Sequence, residues 1–155
     1  MQPDFKIPLP GLLNIAAESI REELYARLGE AGYPELRPAH SCVFGTIGHD
    51  GDRLTALAER ADMTKQAVGE VASELESIGY VERVPDPSDG RAKIIRLTRR
   101  GREAYDIGFA IFDEIRTRWA EHYGAERVDG MIELLEEIVG DVRFAPPEAA
   151  PRRAA

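Results

Sequence analysis

The sequence predicts a mainly α-helical (α+β) protein with about six helices and one β-hairpin, and three observations support this prediction. Two short segments with helical apolar spacing, separated by a tight turn, lie within residues 55–78. Two segments of alternating polarity flank a turn-forming run of Pro, Asp and Gly at 85–90. Longer amphipathic segments lie on either side, at about 11–31 and 99–140. The order helix, turn, helix, hairpin predicts a winged helix-turn-helix between two sets of outer helices.

The length and composition indicate one globular domain. The chain has 155 residues, of which 43% are hydrophobic and 31% charged, as in ordinary globular proteins. We expect an extended arm at 1–10, a single domain at 11–144 that contains the winged unit at about 37–101, and a disordered Pro/Ala-rich tail at 145–155. Apolar runs are too short for a membrane span, the N-terminus lacks signal-peptide features, and one cysteine allows no internal disulfide. These features predict a cytoplasmic protein without membrane association.

The first predicted helix, at about 11–31, carries an apolar stripe formed by Leu13, Ala16, Ala17, Ile20, Leu24 and Leu28. The segment Ala31-Gly32-Tyr33-Pro34 should end it. A second helix is predicted at about Pro38–Gly48, followed by a turn at His49–Asp52.

Two short helices follow. Thr55 is a suitable N-cap for the first, and Asp62-Met63 should form the turn. Thr64 is a suitable N-cap for the second, which is predicted to end at about Ile78, before Gly79. The polar face of this second helix is formed by Lys65, Gln66, Gly69, Glu70 and Ser73.

That polar face has two interpretations. Short hydrogen-bonding side chains with one cation in the first turn suit a helix that enters a major groove N-terminus first. A solvated face of an ordinary surface helix would also be polar. Glu70 can only accept hydrogen bonds, so it would read a cytosine amino group or hold Lys65 or an Arg in place.

The hairpin is predicted as a strand at 80–84, a turn at 85–90 and a return strand at 91–97. From Arg83 to Arg102 there are seven basic and two acidic residues, although the whole chain has a net charge of −8. A cationic hairpin next to a helix pair is typical of a protein that binds the phosphate backbone of a nucleic acid. The alternative is a solvated hairpin in which arginines cluster by chance.

The excess of acidic residues lies outside the winged unit. Residues 52–103 contain ten basic and ten acidic residues, and the rest of the chain contains ten basic and eighteen acidic. An acidic body behind a basic face would orient the protein on DNA and limit non-specific binding.

Two further helices complete the chain. Thr98 is a suitable N-cap for a long helix at about Arg99–Tyr123, Gly124 should break it, and a last helix is predicted at about Glu126–Gly140. The winged unit is too small to cover the apolar stripes of the outer helices. A two-fold partner would bury them; an intramolecular bundle is the alternative.

The block from Met63 to Gly101 resembles the core of the MarR family of transcriptional regulators. The resemblance depends on Gly79-Tyr80-Val81-Glu82-Arg83 at the strand entry, Asp89-Gly90-Arg91 in the wing, and Leu97-Thr98-Arg99-Arg100-Gly101 at the exit. With the flanking helices it covers roughly residues 11–140. It implies a homodimeric DNA-binding regulator, often relieved by a small ligand. The most specific expectation is a ligand-responsive repressor on a pseudo-palindromic operator in double-stranded DNA.

Roles on DNA can be assigned to particular residues under this hypothesis. The expected major-groove residues are Thr64, Lys65, Gln66 and Ser73. The expected minor-groove residue is Arg91, with Asp89 orienting it, and the expected phosphate contacts are Arg83, Lys93 and Arg99. The rival hypothesis is a winged helix that serves as a protein-interaction module in a larger assembly.

Other candidate sites are less defined. Arg37, His40 and Phe44 near the second helix would suit an aromatic carboxylate effector; alternatively, Arg37 pairs with a surface acid and His40 caps a junction. Cys42 is expected to be a buried inert thiol rather than a redox sensor. The sequence contains no catalytic constellation, metal-ligand spacing or phosphate loop, so we expect neither an enzyme nor a cofactor.

Overall fold

The computed structural model describes residues 6–144. The chain forms two compact units, the first ending at Phe112 and the second beginning at Asp113, and each is described by itself. The predicted tail at 145–155 lies outside the described residues, as does the predicted arm before Lys6.

The elements follow one another in an order that matches the predicted mainly helical winged fold. Their bounds are α1 Leu9–Glu30, a 3-10 turn Pro38–His40, α2 Ser41–Phe44, β1 Asp52–Arg53, α3 Leu54–Ala61, α4 Lys65–Ser77, β2 Val81–Asp86, β3 Asp89–Leu97, α5 Arg99–Tyr123 and α6 Ala125–Phe144. The first helix therefore begins two residues earlier than predicted, directly after Pro8.

The helix-turn-helix consists of α3 and α4. Thr64 caps α4 as predicted, because its Oγ1 accepts a hydrogen bond from the Ala67 amide at 3.2 Å. Gly79 follows the helix with a positive φ of 82°, which glycine adopts without strain. The predicted cap of α3 at Thr55 is wrong, since α3 begins at Leu54 with Arg53 as its extended cap residue.

The early start of α3 has its cause in a strand that the sequence analysis missed. Asp52 and Arg53 form β1, which pairs antiparallel with β3 through Ile95 and Ile94. The sheet therefore has three strands in the order β1-β3-β2. Because Arg53 is held extended by this pairing, the helical conformation begins at the next residue.

The turn of the wing is tighter than predicted. Residues 85–90 were expected to form it, but β2 runs through Asp86 and β3 begins at Asp89, which leaves only Pro87 and Ser88 between the strands. The Asp86 Oδ1 accepts from the Ser88 amide at 2.8 Å and from the Ser88 hydroxyl at 2.6 Å. This side-chain turn closes the hairpin within two residues.

The second predicted helix, Pro38–Gly48, is also shorter in the structure. It consists of a 3-10 turn and a single α-helical turn that ends at Phe44. The Thr46 hydroxyl donates to the Cys42 carbonyl oxygen at 2.6 Å, and a Thr side chain that bonds back in this way competes with continued helix.

The core of the first unit lies among α2, α3, α4 and the sheet. Its buried side chains include Val43, Leu57, Val68, Ala72, Leu75, Tyr80, Val81 and Ile95. The apolar stripe predicted for α4 supplies three of them, so the opposite face of that helix is left for polar residues.

The start of α5 lies close against the strand entry. The Gly101 amide donates to the Thr98 Oγ1 at 3.1 Å, which confirms Thr98 as the N-cap. The Thr98 amide donates to the Tyr80 carbonyl oxygen at 3.0 Å. A Cβ at Gly101 would collide with that same carbonyl oxygen, so the crossing of the two segments requires a glycine.

The second unit contains the end of α5 and α6. Ile115 and Val128 are its buried apolar residues among those described. The Arg116 Nη2 bonds the Asp129 Oδ1 at 2.7 Å. Across residues 6–144, no helix is long and apolar enough to span a bilayer, and no group of His, Cys, Asp and Glu is arranged to hold a metal ion.

Candidate nucleic-acid interface and effector cavity

Helix α4 presents the predicted major-groove residues to solvent. Its buried side chains are Val68, Ala72 and Leu75, and Lys65 and Gln66 are exposed at the beginning of the helix. The Gln66 Nε2 donates to the Glu70 Oε1 at 3.2 Å. Glu70 therefore pairs with Gln66, not with Lys65 or an arginine. The Gln66 amide keeps its second N–H and its carbonyl oxygen for a base.

Ser73 and Arg83 bond each other across α4 and the wing. The Ser73 hydroxyl donates to the Gly69 carbonyl oxygen at 2.8 Å and accepts from the Arg83 Nη2 at 3.0 Å. Arg83 also forms an ion pair with Glu76. A predicted base reader and a predicted phosphate contact are thus fixed relative to each other in the absence of DNA.

Several cations that the sequence analysis counted in the basic hairpin are neutralised by nearby acids. Arg96 pairs with Glu82 at 2.6 Å, Arg99 with Glu103 at 2.9 Å, and Arg100 with Glu35 at 3.0 Å. Within the described part of the chain, Lys65, Arg91 and Lys93 have no side-chain partner. Arg102 donates to the His49 carbonyl oxygen at 2.6 Å and not to an acid. Within the two strands of the wing, the unneutralised positive charge is therefore that of Arg91 and Lys93.

Asp89 holds the backbone of Arg91 in the wing. The Asp89 Oδ1 accepts a hydrogen bond from the Arg91 backbone amide at 3.1 Å. Arg91 lies in an irregular stretch of β3, since the strand register shifts beyond Pro85. Arg91, predicted as the first residue of the return strand, therefore lies in a bulge shortly after the two-residue turn.

Arg53 of β1 bonds acidic residues at the tip of the wing. Its Nε donates to the Asp86 Oδ2 at 2.6 Å, and its Nη2 lies 3.8 Å from the Asp89 Oδ2. Hydrogen bonds from Ser88 and from Arg53 lower the pKa of Asp86 to about 2. No sequence pattern indicated the roles of Arg53 and Asp86, because β1 is only two residues long and shows no alternation.

A second predicted site lies behind the helix-turn-helix, in the first unit. A cavity of about 110 Å³ has walls from α1, α2 and α5. Its lining residues include Leu24, Tyr25, Leu28, His40, Phe44 and Tyr105. Two of the three predicted effector residues, His40 and Phe44, therefore line one cavity, whereas Arg37 does not.

Arg37 instead forms an ion pair with Glu74 of α4. This is the alternative that the sequence analysis left open for Arg37, and a carboxylate effector in the cavity would lack this cation. Tyr25, Tyr105 and Phe109 also line the cavity and were not predicted from the sequence. Their positions depend on how α1 and α5 meet, and helical spacing alone does not give this.

His40 is 0% exposed and has different environments at its two ring nitrogens. Its Nδ1 accepts from the Arg37 backbone amide at 3.1 Å. Its Nε2 lies 3.5 Å from the Glu74 Oε1, too far for a good hydrogen bond, and has no hydrogen-bond partner among the described residues. Burial lowers the pKa of His40, opposed by the nearby Glu74 carboxylate, so we assign the neutral ring.

Cys42 is half-buried, more exposed than the buried thiol that the sequence predicted. Its Sγ lies 3.3 Å from the Ala39 carbonyl oxygen. Burial raises the pKa of Cys42, which disfavours the thiolate that oxidation requires. The geometry therefore agrees with the expectation of an inert cysteine.

A helix-turn-helix with a three-stranded wing, whose exposed helix face and cationic hairpin are adjacent in the chain, defines the class of winged-helix DNA-binding proteins. Residues 36–92 match the model of the MarR family. The transcriptional regulator HosA of Escherichia coli is 24% identical over 107 residues, which cover 68% of this chain and 79% of HosA.

Solved structures show the same fold. CouR from Rhodococcus jostii RHA1 bound to p-coumaroyl-CoA has a TM-score of 0.69 and 23% identity, covering 89% of this chain and 93% of that one. The transcriptional repressor CouR bound to a 23-mer DNA duplex has a TM-score of 0.68 and 22% identity, covering 88% and 99%. Residues 36–92, which span the helix-turn-helix and most of the wing, are therefore similar to the MarR family, and the relatives named here are transcriptional regulators.

Proposed function

We propose that this protein is a ligand-responsive homodimeric repressor that acts in the cytoplasm and binds a pseudo-palindromic operator. The observation that carries the proposal is the wing, where Arg91 and Lys93 remain without acidic partners in the described chain while the neighbouring arginines are paired. Unpaired cations on an exposed hairpin beside a polar helix face suit a duplex with its phosphates and grooves. In support, the similar protein CouR has been solved on a DNA duplex and is described as a repressor.

The roles of individual residues are proposed from their surroundings. Lys65 and Gln66 would enter the major groove, with Thr64 capping the helix beside them. Arg91 would enter the flanking minor groove, where A·T-rich sequence is narrow and strongly negative. Lys93 would contact a phosphate directly. Arg83 and Arg99, also predicted as phosphate contacts, would exchange their ion pairs with Glu76 and Glu103 for phosphates, and Ser73 supports Arg83 at the edge of the major groove.

The dimer is supported by apolar side chains that the described chain leaves exposed. On α1, Leu9 is 67% and Ile15 58% exposed, and on α6, Leu134 is 55% exposed. The other large exposed apolar residues of these helices are Leu12, Leu13, Met131, Ile138 and Val139. Apolar surface of this extent is uncommon on a monomer and typical of an interface, and a second copy would make the symmetric assembly that a pseudo-palindromic operator needs.

The effector is assigned to the cavity behind the helix-turn-helix. Arg37, the cation expected to hold a carboxylate, pairs with Glu74 outside it. The lining is formed mainly by leucine, tyrosine and phenylalanine side chains, with His40 and Ser41 as polar groups. We therefore favour a neutral aromatic group over the aromatic carboxylate that the sequence suggested. The similar CouR structure holds p-coumaroyl-CoA, which has an aromatic acyl group.

The experiment that tests this function is a titration of labelled DNA from the region flanking the protein's own gene. Binding by counterion release should weaken by at least about tenfold between about 50 and about 200 mM salt. Gln66→Ala should cost about 1–3 kcal/mol on that DNA and relax the preference at one position per half-site. Thr55→Ala, another exposed polar residue on the preceding helix, serves as the control.

Two results would contradict the proposal. Affinity that does not change with salt would favour a protein-interaction module, because an apolar protein contact releases no counterions. An unchanged ratio of specific to random DNA binding in Gln66→Ala would remove Gln66 from base readout.

A further inference from the structure

We propose that His40 and Glu74 form a mechanical link through which occupancy of the effector cavity displaces helix α4. Both are positioning residues in this scheme: His40 is part of the cavity wall, and Glu74 is part of the helix that we propose reads DNA. The inference deepens the proposed function and rests on it only in taking α4 as the reading helix.

The tautomer of His40 follows from its contacts. Its Nδ1 accepts the Arg37 backbone amide, so the proton of the neutral ring lies on Nε2. This buried N–H has no hydrogen-bond partner in the described chain, and the closest acceptor is the Glu74 Oε1 at 3.5 Å. A buried donor that lacks a partner is costly, so a small approach of the ring to Glu74 would be favourable.

Glu74 connects this ring to the surface that faces DNA. It lies on α4 next to Ser73, and its Oε1 also forms the ion pair with Arg37. Arg37 precedes the 3-10 turn and His40 ends it. The His40 amide donates to the Arg37 carbonyl oxygen at 2.9 Å, and the Arg37 amide donates to the His40 Nδ1 at 3.1 Å. The same carboxylate oxygen of α4 therefore bonds Arg37 at one end of that turn and lies 3.5 Å from the His40 Nε2 at the other.

The size of the cavity and the lengths of its walls indicate which wall would move when an aromatic ring enters. At about 110 Å³ it is smaller than the roughly 150 Å³ cavity that accommodates benzene, so an aromatic ring that enters it fully would push its walls apart. The α1 and α5 walls belong to helices of 22 and 25 residues, whereas the wall that holds His40 is a 3-10 turn followed by four helical residues. The short wall has the fewest helical hydrogen bonds and should yield first.

In this scheme, outward movement of that wall carries His40 toward Glu74. A shift of about half an ångström would bring His40 Nε2 within the roughly 2.9 Å of a charge-assisted hydrogen bond to the carboxylate. The Glu74 Oε1 would then be shared between His40 and Arg37, and the carboxylate would move with the ring. Because Glu74 and Ser73 are adjacent, this movement changes the position of the reading face.

The test uses the whole protein, labelled with ¹⁵N, and phenol as the probe. Amide chemical shifts are followed during a phenol titration in the wild type, His40→Asn, Glu74→Gln and Glu59→Gln. Asn keeps an acceptor for the Arg37 amide but is too short to reach Glu74. Gln at position 74 keeps the length and removes the charge, on a residue exposed enough to tolerate it, and Glu59→Gln removes a carboxylate elsewhere as the matched control.

Phenol should shift amides of the cavity wall, near Phe44 and Tyr105, and amides of α4 near Glu74. In His40→Asn and Glu74→Gln the wall should still respond while α4 loses more than half of its response, and Glu59→Gln should behave as the wild type. An α4 response of equal size in Glu74→Gln and the wild type overturns the link. Wall amides that do not respond to phenol up to its solubility also overturn it, because the cavity then does not accept an aromatic ring.

A parallel DNA titration separates this inference from the proposed function. If phenol shifts α4 as expected but the protein shows no salt-dependent DNA binding, the link stands and the proposed function fails. If DNA binding is as proposed and phenol shifts only the cavity wall, the function stands and the link fails.

Discussion

Two regions of the molecule contain the same kinds of apolar side chain and bury them to opposite extents. One is the winged core, which consists of α2, α3, α4 and the three-stranded sheet, and the other is helix α6. In the winged core Leu57, Val68 and Leu75 are 0% exposed, whereas Leu134 on α6 is 55% exposed. Val128 is the only apolar residue of α6 that the described chain buries. Since the residue types are similar, the difference lies in the partners that the chain supplies and not in hydrophobicity.

This difference separates a region that is complete in one chain from a region that needs another molecule. Burying a leucine or valine side chain is worth about 1.5–3 kcal/mol, and the winged core obtains this within itself. Helix α6 and the first turns of α1 do not, among the residues described. We therefore expect changes in the winged core to alter folding and DNA binding, and changes on α6 to alter assembly.

The largest effect is expected on assembly, from changes to the exposed apolar residues of α6. Replacing Leu134 and Ile138 by glutamate should weaken the proposed dimer by about a thousandfold or more, because it places two charges in a surface that requires apolar contact. The folded protomer should persist, since both side chains are exposed. Sedimentation over a range of micromolar concentrations measures the shift.

The matched control places a charge on an exposed polar position of the winged core, Thr55→Glu, and should leave the assembly unchanged. If the wild type itself sediments as a monomer at micromolar concentration, the dimer is excluded and the exposed apolar face needs another occupant.

A smaller effect is expected in the wing, the exposed part of the otherwise self-sufficient region. Arg91→Ala should weaken operator binding by about tenfold and reduce the salt slope by about one, because one groove-bound cation is lost. Asp89→Ala should also weaken binding, since Asp89 holds the Arg91 backbone amide at 3.1 Å. Both variants are titrated against one operator at two salt concentrations.

The control is Arg96→Ala, which removes the same charge from a hairpin position already paired with Glu82 at 2.6 Å. It should change affinity less than Arg91→Ala. Simple electrostatics predicts tighter binding for Asp89→Ala, so an increase in affinity would exclude the positioning role of Asp89.

The smallest effect is expected on the stability of the winged core, at Tyr80. Its hydroxyl donates to the Glu35 Oε2 at 3.0 Å, and burial followed by this bond raises its pKa from 10.0 to about 12. A raised folded-state pKa means that the contribution to stability is fully present below pH 10.0 and is lost as the pH rises through about 12. Tyr80→Phe should cost about 1 kcal/mol at neutral pH and remove this part of the alkaline loss.

Urea unfolding below pH 10 and near pH 12 measures the free energy of unfolding for both proteins. Tyr123→Phe, which changes an exposed tyrosine of the outer helices, is the control and should keep the wild-type slope. Equal pH slopes for the wild type and Tyr80→Phe would mean that Tyr80 ionisation is not linked to folding.

Long periodic helices were predictable from the sequence, and short elements were not. Helix α5 has the predicted bounds, and α4 lies between the predicted cap Thr64 and stop Gly79, because each has several turns of regular spacing and a local capping signal. The two-residue strand β1 has no period to detect. The lengths of α2 and of the wing turn depend on side-chain to backbone bonds from Thr46 and Asp86, which a sequence pattern does not show.

The candidate site divides in a similar way. The polar face of α4 follows from its apolar stripe, so the exposure of Lys65 and Gln66 was predictable, while their contacts with DNA stay predictions. The pairing of Arg37 with Glu74, 37 residues apart in sequence, depends on the packing of the 3-10 turn against α4. The same packing gives His40 its unpartnered nitrogen, and no local motif indicates it.

The crossing at Gly101 has a consequence for genetics. A screen for null alleles should recover almost any missense change at this codon, alanine included, because a Cβ there collides with the Tyr80 carbonyl oxygen. Such alleles would resemble DNA-contact lesions in phenotype, although the residue lies at the base of the wing and touches no ligand. Gly90 has open space around it and should accept many substitutions, so the two glycines of the hairpin region would have opposite mutational spectra.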